Sequence, residues 1–317
     1  MSQPMISVLV PCFNASRWLD ETLQSVFDQH YSPLEVIIVD DGSTDDSVAR
    51  IEPWVAKFER LIVVRQKNRG QTAALNTALE HAQGEFVQYL DADDVLLPGK
   101  LQAQLARLQA CPNGIAMAAW GRFYDQPANT RFVPQPTWQD MSPVDWLVEN
   151  WADGGGMMFP GMWLAPMHLV RQIGPWREDL TLLNDTEYFP RLILSASRVL
   201  FCPDARVAYR SGLPGSLSGR KTRAGFLSSF QVLIANEHLL LRQEDSERTH
   251  RSLSILWQRY AHQCYPYFSA LAEEAIRRGK ALDEIDIKPE GGPLFHRISK
   301  LVGWRLAKRI QVLTGRQ

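Results

Sequence analysis

The chain has 317 residues, with 34 Lys and Arg against 35 Asp and Glu, 45% apolar residues and four Cys. That length calls for one large α/β domain plus an appended piece, and the composition excludes a disordered chain, collagen and a disulfide scaffold. Cys12, Cys111, Cys202 and Cys264 lie too far apart for a zinc spacing and read as reduced thiols, no apolar run reaches the roughly 18 residues of a membrane span, and no basic leader precedes the first strand pattern, so a cytoplasmic protein is expected.

Apolar stretches at Ile6 to Val10, Val36 to Val39, Leu61 to Val64 and Phe86 to Leu90 predict strands. Helix patterns at Arg17 to Gln29, Asp45 to Phe58 and Gln71 to Ala82 separate them. That alternation predicts a parallel sheet with right-handed crossovers, and residues 1–110 read as a nucleotide-binding half of doubly wound type. A helix at Pro98 to Ala110 and a strand at Ile115 to Tyr124 come next, then a stretch rich in Pro and Trp. Asp153 to Gly156 and the following Met157 to Gly161 are backbone-permissive and apolar. They suit either a mobile wall around a ligand or a packed surface loop. Helices are expected at Met167 to Gln172 and Thr186 to Ser197, and strands at Val199 to Cys202 and Arg206 to Tyr209. From Lys221 onward the pattern is almost all helical, which divides the chain into 1–220 and 221–317.

Charge divides at the same place. Residues 1–220 hold 18 basic and 25 acidic side chains, and residues 221–317 hold 16 and 10. The larger part repels nucleic acid, so none is expected as a partner, and an anionic ligand there must be held by backbone amides or a metal. Between Leu294 and Leu313, apolar residues recur at helical spacing among Arg297, Lys300, Arg305, Lys308 and Arg309, with no acid. A cationic amphipathic helix over 294–317 suits an anionic membrane surface, the other reading being a helix docked on the domain or on a second copy.

In an open parallel sheet the ligand lies outside the carboxyl ends of the strands. Pro11-Cys12-Phe13-Asn14, the run Asp40 to Asp45, Lys67-Asn68-Arg69-Gly70 and Asp91-Ala92-Asp93-Asp94 all fall at such ends. A crevice of this kind can hold Mg²⁺ or Mn²⁺, which favour carboxylate oxygens, and Asp91 and Asp93 are spaced to share one site. Taken singly, the same acids and hydroxyls serve equally well as helix caps and turn residues.

In order, spacing and residue type, these four motifs together with Ala74-Leu75-Asn76 resemble the nucleotide-sugar domain of family two glycosyltransferases, closely over residues 5–110 and loosely to about 220. The resemblance implies a GT-A fold: an α/β, Rossmann-like, mostly parallel sheet flanked by helices, with a nucleotide-sugar half (1–110), an acceptor half (111–220) and a helical C-terminal extension. It implies that Asp93 is the main ligand of a divalent metal, Mn²⁺ or Mg²⁺, with Asp91 nearer the ribose and Asp94 a weaker ligand. Asp41 and its neighbour Asp40 should face a uridine-like base or ribose, with Pro11, Asn14, Asn68, Gly70 and Ala92 in the same donor site. Leu75 departs from the family, where Arg is common, leaving Lys67 or Arg69 to meet the phosphate.

A second family element, an acidic pair opening a helix with Arg six residues on, is matched by Asn184-Asp185 and Arg191, with Asn in place of the first acid. By resemblance Asp185 is the catalytic base, and Glu187 is its rival. Trp163 and Trp176 stand where the family places acceptor contacts, and Arg210, Arg220 or Lys221 where a loop closes over the diphosphate, with Ser216 and Ser218 ordering that loop. The implied activity is inverting, metal-assisted transfer from a UDP-sugar to a carbohydrate or lipid-linked acceptor in polysaccharide, lipopolysaccharide or glycolipid assembly, on the inner face of the membrane. One rival is a catalytically silent, membrane-tethered relative that binds nucleotide sugar, suggested by Asn184 and Leu75. A phospho-acceptor receiver domain fits less well, because the Asp pair follows the second strand and the required later Lys is missing.

Overall fold

The computed structural model describes residues 3–213 and 222–313. Residues divide into two compact units: 1–146 with 158–220, and 147–157 with 221–317.

In the first unit, strands β1 (Ile6–Cys12), β2 (Leu34–Asp40), β3 (Leu61–Arg65) and β4 (Phe86–Tyr89) are parallel, in the order β3-β2-β1-β4. Every residue of β1 and β2 is buried, as expected for strands covered on both faces, which is why they read as largely apolar runs, with Ser7 donating to Glu35 between them at 2.6 Å. Between them lie α1 (Leu19–Phe27), α2 (Ser47–Val55) and α3 (Gln71–His81). Register aligns Cys12 with Asp40 and Asp40 with Arg65. The chain therefore leaves three neighbouring strands at one level.

The sheet continues through β5 (Val95–Leu96), β6 (Ile115–Phe123), β7 (Arg131–Phe132), β8 (Trp163–Pro166) and β9 (Val199–Arg210), in the order β4-β8-β6-β9-β5, with β7 on β6. β8 is antiparallel to both β4 and β6, whereas β6 and β9 are parallel. Sequence patterns miss β8, whose four residues sit in a run punctuated by Pro160, Gly161 and Pro166. They also split β9 in two; it is one strand with an irregularity opposite Ala118 and Ala119. Helix α4 (Lys100–Ala110) follows β5, α5 (Pro143–Trp151) occupies the Trp-rich stretch, and α6 (Met167–Ile173) and α7 (Asp185–Ser195) precede β9.

Lys100, at the start of α4, is fully buried. Its ammonium donates to Gln88 Oε1 at 2.5 Å and Gln104 Oε1 at 2.6 Å, and burial pulls its pKa down to about 7. Between pH 7 and 10.5 the unfolded lysine keeps its proton and the folded one sheds it. Stability must then rise with pH over that range, by up to about 1.4 kcal/mol per unit, and flatten below pH 7. Lys100→Met should erase that rise and cost about 1–3 kcal/mol for each glutamine oxygen left without a donor. Urea midpoints of both proteins from pH 6 to 8.5 check this; parallel curves would show that Lys100 does not titrate there.

The second unit is helical: α8 (Arg223–Gln243), α9 (Glu247–Cys264), α10 (Ser269–Leu282) and α11 (Pro293–Leu313). Trp257, Tyr260, Ala261, Cys264, Tyr265, Ala272 and Ala275 form its core, with Trp304 packed against it. α11 is two segments and not the single helix that its periodicity suggests, because Gly303 adopts φ 78°, which ends the first segment. The glycine run is packed: Arg259 donates to the Asp153 carbonyl at 2.7 Å, and a Cβ on Gly154 would meet Arg259 Nε. Of its two readings, the packed loop is the one observed. Among the described residues no helix is long and apolar enough to cross a membrane, and the four cysteines are free.

Candidate functional site

Asp40 ends β2 and Asp41 follows it. Asp40 is buried and accepts from the Ser43 amide at 3.1 Å, with the Arg65 guanidinium 3.8 Å away. Asp41 is more committed: its carboxylate accepts from Gln66 Nε2 at 2.7 Å and from the Arg69 and Gly70 amides at 2.9 and 2.8 Å. It therefore shapes the loop that delivers Gly70, whose φ of 93° leads into α3. Asn14, at φ 50°, holds the turn opposite by accepting from the Thr44 amide at 2.8 Å. Pro11 in β1 and Ala92 within the acidic turn are buried, while Asn68 is exposed.

The turn after β4 carries the concentrated charge. Burial, then the neighbouring Asp93 carboxylate, pushes the Asp91 carboxyl up to about 7, opposed by a bond donated from Gln71 Nε2 at 2.7 Å. Burial also raises Asp93, against the pull of Arg210. Asp94 is held well above the carboxylate range by burial and by both neighbours. Its Oδ1 accepts from the Arg210 amide at 2.9 Å, and its buried Oδ2 has no partner.

Arg210 is not poised on a loop over the diphosphate. It is 3% exposed at the end of β9, where it donates to the Asp93 carbonyl at 2.9 Å, pairs with Glu21 and lies over the rings of Trp18 and Phe123. Its packed surroundings make it the brace of the acidic turn. Arg220, Lys221, Ser216 and Ser218 lie outside the described residues.

α7 brings its first residue to this turn. Asn184 caps it, accepting from the Asp185 amide at 3.1 Å while donating to Gln71 Oε1 at 3.2 Å. Gln71 thus bridges Asp91 and the cap of α7, a role that a lone glutamine after a glycine does not announce in sequence. Asp185 is held well above the usual carboxylate range by burial and by the Asp91 charge, and its Oδ1 is buried without a partner. Glu187 is otherwise engaged: its carboxylate receives Arg191 Nε and a terminal nitrogen at 3.0 and 2.9 Å. A carboxylate locked in a two-pronged pair is a poor proton acceptor, so the rival reading of Glu187 is set aside.

The aromatic candidates for acceptor contact are also corrected. Trp163 is 1% exposed and packs against Trp146 and Phe189, while Trp176 stacks on Tyr188 at 3.8 Å. Both are core, where large apolar rings gain most from burial. Tyr188 in turn shares a 2.8 Å hydroxyl bond with Tyr89 at the end of β4. That cluster fixes α7 to the strand carrying the acidic turn. Asn76 contributes by exchanging bonds with the Trp176 backbone and donating to Glu178 at 3.0 Å. Leu75 is core, Arg69 pairs with Glu178 at 2.7 Å, and Lys67 is exposed.

The donor set suits a hard divalent cation, since the Asp91 carboxyl feels the Asp93 charge and Asp185 and Asp94 each keep an orphaned oxygen. Among the described residues no three His, Cys, Asp or Glu side chains converge as a complete ligand cage. Two carboxylates are enough where substrate phosphates and water complete the shell, as is usual for Mg²⁺.

Residues 7–171 match the sequence model of glycosyl transferase family 2. A putative teichuronic acid biosynthesis glycosyltransferase of Bacillus subtilis, TuaG, is 40% identical over 104 residues, 32% of this chain and 41% of that protein. The chain thus spans well under half the length of that relative. Among solved structures, S. aureus TarS 1–349 in complex with UDP-GlcNAc superposes with TM-score 0.64 at 18% identity, covering 88% of this chain and 90% of that one. The mannosyltransferase PcManGT from Pyrobaculum calidifontis, in complex with GDP-Man and Mn²⁺, gives 0.57 at 19% identity, over 100% and 89%. At those identities the likeness is one of fold, and the fold is GT-A.

Proposed function

The chain belongs to glycosyl transferase family 2, and from that premise we propose that it moves a sugar from a nucleotide diphosphate sugar to an acceptor hydroxyl with inversion at the anomeric carbon. The observation that carries this reading is that Gln71 joins Asp91 to the cap of α7, where Asp185 is half-buried and keeps one buried oxygen free of any partner. A carboxylate so placed can take the proton of the attacking hydroxyl. The acceptor oxygen then bonds to C1 as the C1–O bond to the diphosphate breaks, and that electron pair leaves with the nucleotide. Asp91 and Asp93 are the residues to hold a divalent cation, which when bound supplies positive charge against the leaving diphosphate. Asp40, Asn14, Asn68 and the Gly70 amide region surround the nucleotide, and Arg210 keeps the acidic turn in place.

The relatives named above are a guide to donor and pathway: a UDP- or GDP-sugar, used in assembly of a cell-envelope glycan. Attachment to an anionic membrane surface at the cytoplasmic face through 294–313 would bring the enzyme to a lipid-linked acceptor.

Thermal unfolding with a panel of UDP- and GDP-sugars, each with Mn²⁺, Mg²⁺ or chelator, tests donor and metal together. A ligand of the folded state adds about 2.7 kcal/mol at a hundred times its Kd. One donor should raise the midpoint only with metal; a flat panel would remove the donor-binding reading.

A further inference from the structure

The inner side of α11 is packed, with Phe295 and Ala307 buried and the Trp304 ring 4.6 Å from His262 and 5.3 Å from Tyr265. The outer side is apolar and open. Leu301 and Leu313 are each 86% exposed, and Leu294, Val302 and Leu306 are also uncovered. Arg297, Lys300, Arg305 and Arg309 are exposed beside them, with no acid in 294–317.

Beside this surface a cavity of about 400 Å³ opens between Tyr265 and Ser269 on one wall and Val302, Arg305, Leu306 and Arg309 on the other, with Glu273 at its lining. The two arginines are one helical turn apart. Neither forms an ion pair among the described residues, and each guanidinium rests near a ring, Arg305 5.7 Å from Trp304 and Arg309 5.5 Å from Tyr265. Unpaired guanidiniums present planar forks matched to phosphate oxygens, and ring contacts restrict their motion before a ligand arrives. Two Arg against one Glu leave the lining at about one positive charge. That balance complements a phosphodiester, with a single negative charge, better than a dianionic phosphate monoester.

We propose that this cavity seats the phosphodiester headgroup of one anionic phospholipid, clasped by Arg305 and Arg309, while Leu301, Leu306 and Leu313 enter the acyl boundary. The proposal rests on the membrane attachment put forward above and adds a headgroup site to it. Charge density alone would treat Arg and Lys alike, whereas a clasp built on planar forks does not.

Sedimentation of the full chain with vesicles of phosphatidylcholine, with and without phosphatidylglycerol, separates the two layers of the argument. The unaltered protein should pellet with the anionic vesicles, and Leu301→Gln/Leu313→Gln should weaken that by at least roughly tenfold through lost apolar burial. Arg305→Lys/Arg309→Lys keeps the charge and should still weaken binding roughly tenfold, whereas Arg297→Lys, off the cavity, should not. If the double lysine variant binds as the unaltered protein does, or Arg297→Lys loses as much, the headgroup site is wrong and the membrane attachment stands. If the unaltered protein does not pellet at all, both fail, and the transfer chemistry of the first unit is untouched.

Discussion

Asp185→Asn is expected to lower sugar transfer by roughly 10²- to 10⁴-fold while leaving donor binding within a few-fold, the loss typical of removing a positioned general base. Asparagine has nearly the same shape and leaves the Asn184 cap intact, since that bond uses the backbone amide of residue 185. Stability distinguishes this role from a merely structural one. A carboxylate that only favours the helix N-terminus contributes about 0.3–1 kcal/mol, which the variant would lose. Asp185 instead keeps a buried oxygen without a partner, with the Asp91 charge set against it, so neutralising it should leave stability unchanged or raise it. Transfer rate, donor Kd and urea midpoint are measured on both proteins. Transfer retained within tenfold, with stability lost, would assign Asp185 to the helix and return weight to a silent, nucleotide-binding relative.

Asp93→Asn is expected to remove the metal dependence of nucleotide affinity. The Asp93 charge bears on Asp91 in a half-buried turn, and a divalent cation would relieve that repulsion while joining the turn to the diphosphate. Losing a direct ligand should cost more than the 10- to 100-fold typical of outer partners, so the Mn²⁺-dependent gain in affinity should fall by about 100-fold or more. Calorimetric titration of UDP with Mn²⁺ and with chelator reads this without any transfer assay. An undiminished Mn²⁺ effect in the variant would show that the cation is held elsewhere. Arg210 makes the experiment clean, because its amide and side chain bond Asp94 and the Asp93 carbonyl, and neither bond needs the Asp93 carboxylate.

Much of the β1 to β4 half was legible because its signals are local. Each strand of β1 to β4 is a short apolar run ending in a polar motif, and parallel pairing places successive strand ends at one level whatever their sequence. Four motifs separated by tens of residues therefore had to meet. The part of the sheet after β6 was less legible, because β8 is defined by its antiparallel neighbours β4 and β6 and not by any pattern of its own.

Residue order along the chain sets the side-chain types available for the chemistry: the acids of the β4 turn, the acid opening α7 and the all-basic charge of the C-terminal stretch. Long-range packing selects which of them are free to act. Glu187 and Asp185 are two residues apart on one helix, yet one is locked to Arg191 and the other keeps an orphaned oxygen. Trp163 and Arg210 look like ligand contacts in sequence and are buried supports in the fold. Gln71 gave no signal, and it joins Asp91 to the cap of α7. In every case the deciding quantity is which partner already occupies a side chain, and that is set by long-range packing that a one-dimensional pattern does not carry.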